Sequence, residues 1–270
     1  MKTLAIDIET YSGVDLTKSG AYAYACAPDF EILLFAYAVD DEPVKIVDVA
    51  NGEEIPKAIT QAILDDNITK TAFNAQFERV CLSRYLQTKL KPDSWLCTAV
   101  QAAMLGLPHS LEDVGKVLGL EQQKMRKGKD LIRLFCRPNK YNKRNKQEEY
   151  PEKWQAFKEY CKRDVEVERS IRERIADYPI CKRERKVYIL DQNINDRGMN
   201  VDMTFVKNAI ISDNQNSQRA LEQAQRLTGL KNPNSVAQLK QWLYENGVEI
   251  ESLSKKNVSQ LIAETNGNVE

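Results

Sequence analysis

Histidine is almost missing from this sequence, since His109 is the only one among 270 residues. Catalytic zinc sites and nucleophilic triads normally need histidine as ligand or base, so both kinds of chemistry are nearly excluded. The six cysteines form no CxxC pair and no Cys/His metal spacing, which is typical of a reduced protein with buried thiols. Acid–base or metal chemistry in this chain must therefore rest on carboxylates.

Long apolar runs and a net charge are missing as well. No stretch of 18 apolar residues occurs, and the N-terminal segment lacks the basic and apolar regions of a signal peptide. We therefore expect a cytoplasmic protein of a bacterial or phage-infected cell, with no membrane partner. Lys and Arg total 39, as do Asp and Glu, so no global field marks a nucleic-acid binder. A nucleic-acid-binding protein can still use local basic groups around an acidic site.

Hydrophobic periodicity predicts an α/β fold in the first part of the chain. Alternating or continuous apolar residues predict strands at 2–8, 31–39, 44–49 and 68–73. Helical spacing predicts helices at about 53–65, 76–87, 97–105 and 110–119, and a long helix that begins at Pro151. Between them, residues 137–146 carry five Lys/Arg and few apolar residues, which predicts an exposed, mobile loop.

The last third of the sequence has a different pattern. From Glu184 onwards only helices are predicted, at about 184–196, 203–228, 235–246 and 254–264. A mixed part followed by a purely helical part indicates two domains. We place them at 1–180 and 181–270.

Asp7 and Glu9 form the first candidate site. Alternate side chains on a strand share a face, so these two carboxylates point the same way while Ile8 points into the core. Adjacent carboxylates repel each other, and a hard cation such as Mg²⁺ or Mn²⁺ removes that repulsion. The alternative is a strand end with two solvated acids.

Two further segments carry acids in defined positions. Glu78 is predicted to lie one turn into a helix that follows a strand, with Asn74 as its N-cap. Tyr160 and Asp164 are four residues apart on the long helix, so they lie on one face. Capping would explain Glu78, and a salt bridge to a neighbouring basic residue would explain Asp164.

The three segments together resemble the DEDD superfamily of 3′→5′ exonucleases, in the subgroup with tyrosine in the third motif. The flanking text FNAQFERVCL, WLCTAVQAAMLG and SLEDVGKVLGL is similar to this family too, and the resemblance covers about residues 1–178. It implies an RNase H-like mixed sheet flanked by helices, followed by a smaller all-helical segment. One departure is Glu78, where the superfamily usually has Asp.

The resemblance also implies a mechanism with two divalent metal ions, Mg²⁺ or Mn²⁺. Four acids would hold the metals and Tyr160 would orient the attacking water, which makes the catalytic set Asp7, Glu9, Glu78, Tyr160 and Asp164. Nucleoside 5′-monophosphates would be released from a single-stranded DNA 3′ end. Thr10, Asn74 and Phe77 would hold the terminal nucleotide.

Residues 185–270 contain DQNINDRGMNVD and NPNSVAQLKQWLYENG, which are similar to the start of the polymerase region of phage-type family A DNA polymerases. No acidic pair of a palm domain follows, so we expect no polymerase activity from this chain alone. We expect a piece of a longer polymerase, with a stand-alone descendant as the alternative. Two alternatives to the DNA exonuclease stay open: an exoribonuclease of the same superfamily and a catalytically silent nucleic-acid-binding module.

Overall fold

One mixed sheet forms the centre of the first part of the molecule. The computed structural model of the chain describes residues 1–120 and 128–264. The sheet has the strand order β3-β2-β1-β4-β5. Its strands are β1 (Thr3–Tyr11), β2 (Glu31–Val39), β3 (Lys45–Val47), β4 (Thr69–Ala72) and β5 (Trp95–Cys97). β2 pairs antiparallel with β1 and β3, and β4 pairs parallel with β1 and β5. The mixed RNase H-like sheet predicted from the sequence is confirmed.

Eight α-helices belong to the described part of this unit. They are α1 (Leu16–Ala25), α2 (Lys57–Leu64), α3 (Ala75–Tyr85), α4 (Thr98–Met104), α5 (Leu111–Val117), α6 (Gly128–Phe135), α7 (Pro151–Arg174) and α8 (Lys182–Arg197). Helix α1 is not among the helices predicted from the sequence. Asp15 caps this helix by accepting from the Thr17 backbone N–H, but Gly20 interrupts it at φ 75° and ψ 170° and hides its periodicity.

The two faces of the sheet pack against different helices, and this decides where the acids of β1 point. Leu4, Ile6 and Ile8 lie in the core that includes residues of α2 and α3. Ala5 and Tyr11 lie in the opposite core, with residues of α6 and α7. The odd-numbered positions of β1 therefore face α7, and the predicted inward direction of Ile8 is confirmed.

The compact first unit extends from Met1 to Gly198, beyond the domain boundary predicted near residue 180. Helix α8 belongs to this unit because its polar side chains bind the α3 side of the sheet. The Arg79 guanidinium donates to both carboxylate oxygens of Asp196, at 2.7 and 2.8 Å, and to Gln192 Oε1 at 3.1 Å. Such a buried ion pair leaves no periodic signal in the sequence.

In its described part the second compact unit, Met199–Glu270, contains helices joined by loops and no strand, as predicted. It contains α9 (Met203–Thr228), α10 (Val236–Glu245) and α11 (Lys255–Glu264). The side chains of Asp202 and Ser235 cap α9 and α10 by accepting hydrogen bonds from backbone N–H groups of the first turn. Gly229 ends α9 in the left-handed conformation at φ 69°. Within residues 1–120 and 128–264, no helix combines the length and the apolarity needed to cross a membrane.

Candidate active site

β1 presents two acids towards α7. Asp7 is partly exposed, and Glu9 is 7% exposed. A register irregularity between Glu9 and Thr10 follows, in the pairing of β1 with β2. The extra residue, Leu33, belongs to β2 and not to β1. Asp7 and Glu9 precede this irregularity and stay on one face, as predicted.

Helix α7 contributes Tyr160 and Asp164, which lie one turn apart. Tyr160 is 1% exposed and Asp164 is 6% exposed. Burial raises the pKa of the Tyr160 phenol far above its usual range, and the charges of Glu9, Asp164 and Asp7 raise it further. Its hydrogen bond with Asp164 acts in the same direction. The phenol therefore stays protonated and is a hydrogen-bond donor among three carboxylates.

Glu78 reaches the same place from α3. The parallel pairing of Ala5 with Thr71 brings the carboxyl end of β4 beside Asp7, and α3 begins just after that strand. Glu78 is 5% exposed, and its pKa is raised well above the usual value by burial and by the charge of Asp7. Its Oε2 has no hydrogen-bond partner among the described residues. A buried carboxylate oxygen of this kind needs a proton or a cation.

The basic neighbours of Asp164 on α7 bind elsewhere. Lys162 pairs with Glu159 at 3.4 Å, and Arg163 pairs with Glu166 at 3.1 Å. The Arg169 guanidinium donates to the Glu42 carbonyl at 2.8 Å. The sequence-based alternative, in which one of these side chains explains Asp164, is not supported by these contacts.

A divalent cation fits this set of donors. The ligand atoms of Asp7, Glu9 and Cys161 lie within 4.8 Å of one another. Burial and neighbouring carboxylates raise the pKa of the Cys161 thiol well above its usual value. Cys161 is therefore a neutral thiol that donates to Asp7 Oδ2 at 3.5 Å, and not a soft thiolate ligand. The carboxylate oxygens that remain, with the unpartnered oxygen of Glu78, match the preference of Mg²⁺ and Mn²⁺.

Sequence reasoning missed two thiols beside the acids. Cys161 contacts Asp7, and the Cys136 Sγ lies 3.7 Å from Glu9 Oε2. The cysteine spacing predicts only ordinary buried thiols at both positions. The available signal was the position of Cys161 three residues before Asp164, close to the face of α7 that carries the acid.

The three residues predicted to hold substrate differ in their surroundings. Thr10 is 4% exposed, and its hydroxyl lies 2.9 Å from the Tyr24 hydroxyl. Phe77 is half-buried against the core and against the Tyr24 ring. Asn74 is exposed at the N-cap position of α3, but its side chain makes no capping hydrogen bond. The predicted N-cap position of Asn74 is confirmed, although its side chain does not cap the helix.

The basic segment at 137–146 is only partly as predicted. Lys140, Lys143 and Lys146 are exposed. Arg144 instead has a side chain that is 7% exposed and pairs with Glu31 Oε2 at 3.1 Å. The Asn139 side chain accepts from the backbone N–H groups of residues 141 and 143, so the segment has a defined turn.

No protein-family model matches the chain. A DNA polymerase of Bacillus phage SP02 is 52% identical over 272 residues, which cover 98% of this chain and 42% of that polymerase.

Two solved structures are similar at low identity. The POL domain of Pol1 from M. smegmatis, in complex with DNA primer-template and dNTP, matches with a TM-score of 0.53 and 12% identity, over 98% of this chain and 42% of that one. Escherichia coli RNase D, an exoribonuclease, matches with a TM-score of 0.42 and 15% identity, over 71% of this chain and 45% of that one. At 52% identity the relationship to the SP02 polymerase is one of common descent, which confirms the resemblance to phage-type polymerases. The chain is therefore a homologue of a phage DNA polymerase over less than half of that protein's length.

Proposed function

We propose that the chain is a metal-dependent 3′→5′ exonuclease that removes nucleoside 5′-monophosphates from DNA 3′ ends, as the proofreading part of a DNA polymerase. The observation that carries this proposal is the convergence of three distant segments. Besides burial, the charges of Glu9, Asp164 and Asp7 raise the pKa of Tyr160. Burial and the charge of Asp7 likewise raise the pKa of Glu78, so the acids of β1, α3 and α7 lie close to one another. The homology to a phage DNA polymerase supports DNA as the substrate and replication in a bacterial or phage-infected cytoplasm as the setting.

Each acid has a role in this proposal. Asp7, Glu9 and Asp164 would hold one divalent ion, and Asp7 and Glu78 would hold a second. When bound, such ions supply a more acidic water and neutralise charge at the scissile phosphate. The Tyr160 phenol remains protonated and orients the attacking water, and its hydrogen bond with Asp164 fixes its direction.

The terminal nucleotide would be held by Thr10, Asn74 and Phe77. A half-buried ring and two short polar side chains suit an unpaired nucleotide, because a ring can pack against a base of any sequence. The substrate partner is then a single-stranded DNA 3′ end, and the protein partner is the remainder of a polymerase.

A cleavage assay tests the function directly. A 5′-labelled single-stranded DNA is incubated with Mg²⁺ or Mn²⁺ and then with EDTA, beside an RNA of the same sequence. We expect a metal-dependent ladder that shortens from the 3′ end of DNA. Cleavage of RNA alone would favour the exoribonuclease, and binding of DNA without any cleavage would favour the silent module.

Two neighbouring acids on α7 provide matched variants. Asp164→Asn removes a proposed metal ligand and should abolish hydrolysis. Glu168→Gln changes a carboxylate one turn further along, which is 3% exposed and hydrogen-bonded to Thr98 and Thr71. The amide oxygen can accept from one threonine hydroxyl and the amide NH2 can donate to the other, so Glu168→Gln should keep the cleavage rate. Full activity in Asp164→Asn, or in Asp7→Ala, would refute the mechanism.

A further inference from the structure

The second half of α1 sends two tyrosines in different directions. Gly20 interrupts the helix, and Tyr22 and Tyr24 follow it. Residues two apart on a helix do not share a face. The Tyr22 hydroxyl donates to Asp196 Oδ1 at 2.6 Å, whereas the Tyr24 hydroxyl lies 2.9 Å from Thr10 Oγ1. Tyr24 therefore contacts the strand end that carries the acids, and Tyr22 does not.

Tyr24 also contacts a second of the three side chains proposed to hold the nucleotide, that of Phe77. Its ring centroid lies 5.9 Å from that of Phe77 at an interplanar angle of 47°. A third ring, that of Phe30, packs edge-on against Tyr24 at 5.9 Å. Tyr24 is only 5% exposed, so it is held by its neighbours while it contacts both Thr10 and Phe77.

An open space adjoins this contact. A cavity of about 470 Å³ is lined by Tyr24 together with Ser12, Cys136, Arg137 and other residues of the two loops around it. Cys136 is the residue whose thiol contacts Glu9. The cavity therefore adjoins the residue that contacts Glu9, has a cationic side chain in its wall, and is large enough for part of a nucleotide.

We infer that Tyr24 is a positioning residue for the DNA 3′ terminus, which it serves by fixing the Thr10 hydroxyl and the Phe77 ring. This inference rests on the proposed function for the identity of the ligand. Tyr24 itself takes no part in bond cleavage. Loss of the Tyr24 hydroxyl weakens binding of the last nucleotide, because Thr10 and Phe77 are then no longer held in one arrangement.

Affinity for DNA without turnover tests the inference. The whole chain is titrated in EDTA, at low salt, against a fluorescent linear single-stranded DNA and against a circular single strand of the same sequence. Tyr24→Phe keeps the ring and removes only the hydroxyl. It should raise the Kd for the linear strand roughly two- to tenfold, the effect of one hydrogen bond, and leave the Kd for the circle unchanged.

Two further variants make the result interpretable. Tyr22→Phe is the matched control, because it removes a hydroxyl on the same helix that binds Asp196, and it should leave both affinities unchanged. Thr10→Val removes the other partner of the hydrogen bond. It should weaken binding of the linear strand as Tyr24→Phe does, and the double variant should be no weaker than either single one.

The outcomes separate the two proposals. An unchanged Kd in Tyr24→Phe, or an equal loss on linear and circular DNA, would overturn the role of Tyr24. A wild-type chain that cleaves no DNA with Mg²⁺ or Mn²⁺ would overturn the proposed exonuclease. The affinity comparison needs no cleavage, so either result can be read without the other.

Discussion

Removal of the Asp196 carboxylate should destabilise the first unit strongly. The side chains of Arg79 and Asp196 are 2% and 4% exposed. Arg79 donates to both oxygens of Asp196, and Tyr22 donates to Oδ1. Asp196→Ala leaves the guanidinium charge buried without its counter-ion, and loss of one member of such a pair costs about 3–5 kcal/mol.

The assay is urea unfolding followed by tryptophan fluorescence. Trp95 and Trp154 lie in the first unit and Trp242 lies in the second, so a Trp242→Phe background makes the signal specific to the first unit. The control is Asp66→Ala. This substitution removes an exposed ion pair, in which the side chain of Lys91 is 69% exposed and that of Asp66 is 50% exposed. It should lower the free energy of unfolding by about 1 kcal/mol or less.

The same pair predicts a dependence on pH. Burial raises the pKa of Asp196, but hydrogen bonds from Arg79 and Tyr22 lower it more, so it lies below its usual value. A lowered folded-state pKa adds stability that is present at neutral pH and is lost as the pH falls through that pKa. The difference in the free energy of unfolding between wild type and Asp196→Ala should therefore decrease below about pH 4. A loss no larger than that of Asp66→Ala at neutral pH would refute the reasoning.

Three other predictions concern single sites. A Cβ at Gly128 would lie 2.7 and 2.8 Å from Cδ2 and Cζ of Tyr160, so Gly128→Ala should cost roughly 1–3 kcal/mol in thermal unfolding and should slow DNA cleavage. Gly115→Ala, whose Cβ would sit at 3.7 Å from its nearest neighbour, is the control, and equal effects of the two changes would contradict this explanation. Burial lowers the pKa of Lys70 from 10.5 to about 8, so the unfolded state binds more protons between these values and stability should rise with pH there. Relative to Lys70→Met, the gain in the free energy of unfolding should reach at most about 3 kcal/mol, and a flat difference between the two profiles would exclude it. Asp202→Ala removes the side chain that caps α9 and should lower stability by about 1 kcal/mol in circular dichroism melts, whereas Asp202→Asn should retain most of it.

Much of the fold follows from local pattern. Strand β2 has the predicted bounds 31–39, because every residue between its ends is buried and residues 32–39 form a continuous apolar run. Helix α9 likewise spans the predicted 203–228, since an N-cap and a terminal glycine define its ends. The three-residue strand β5 was not predicted, because three residues are too few to show a period.

The sequence by itself determined which residues could do chemistry. With a single histidine and no cysteine motif for a metal, only carboxylates are available for acid–base or metal chemistry. The strand and helix periods then place Asp7 with Glu9 and Tyr160 with Asp164. Each of these arguments is local, because it depends only on the spacing of residues within one element.

Tertiary structure alone decided how the segments meet. The parallel register of β1 and β4 brings Glu78 to Asp7. The contacts of Cys161 with Asp7, of Tyr24 with Thr10 and of Arg79 with Asp196 join residues far apart in the chain. Such contacts depend on the packing of whole elements against one another, and packing leaves no period in one sequence. The residue types of the candidate site therefore follow from the sequence, whereas the distances between them follow from the fold.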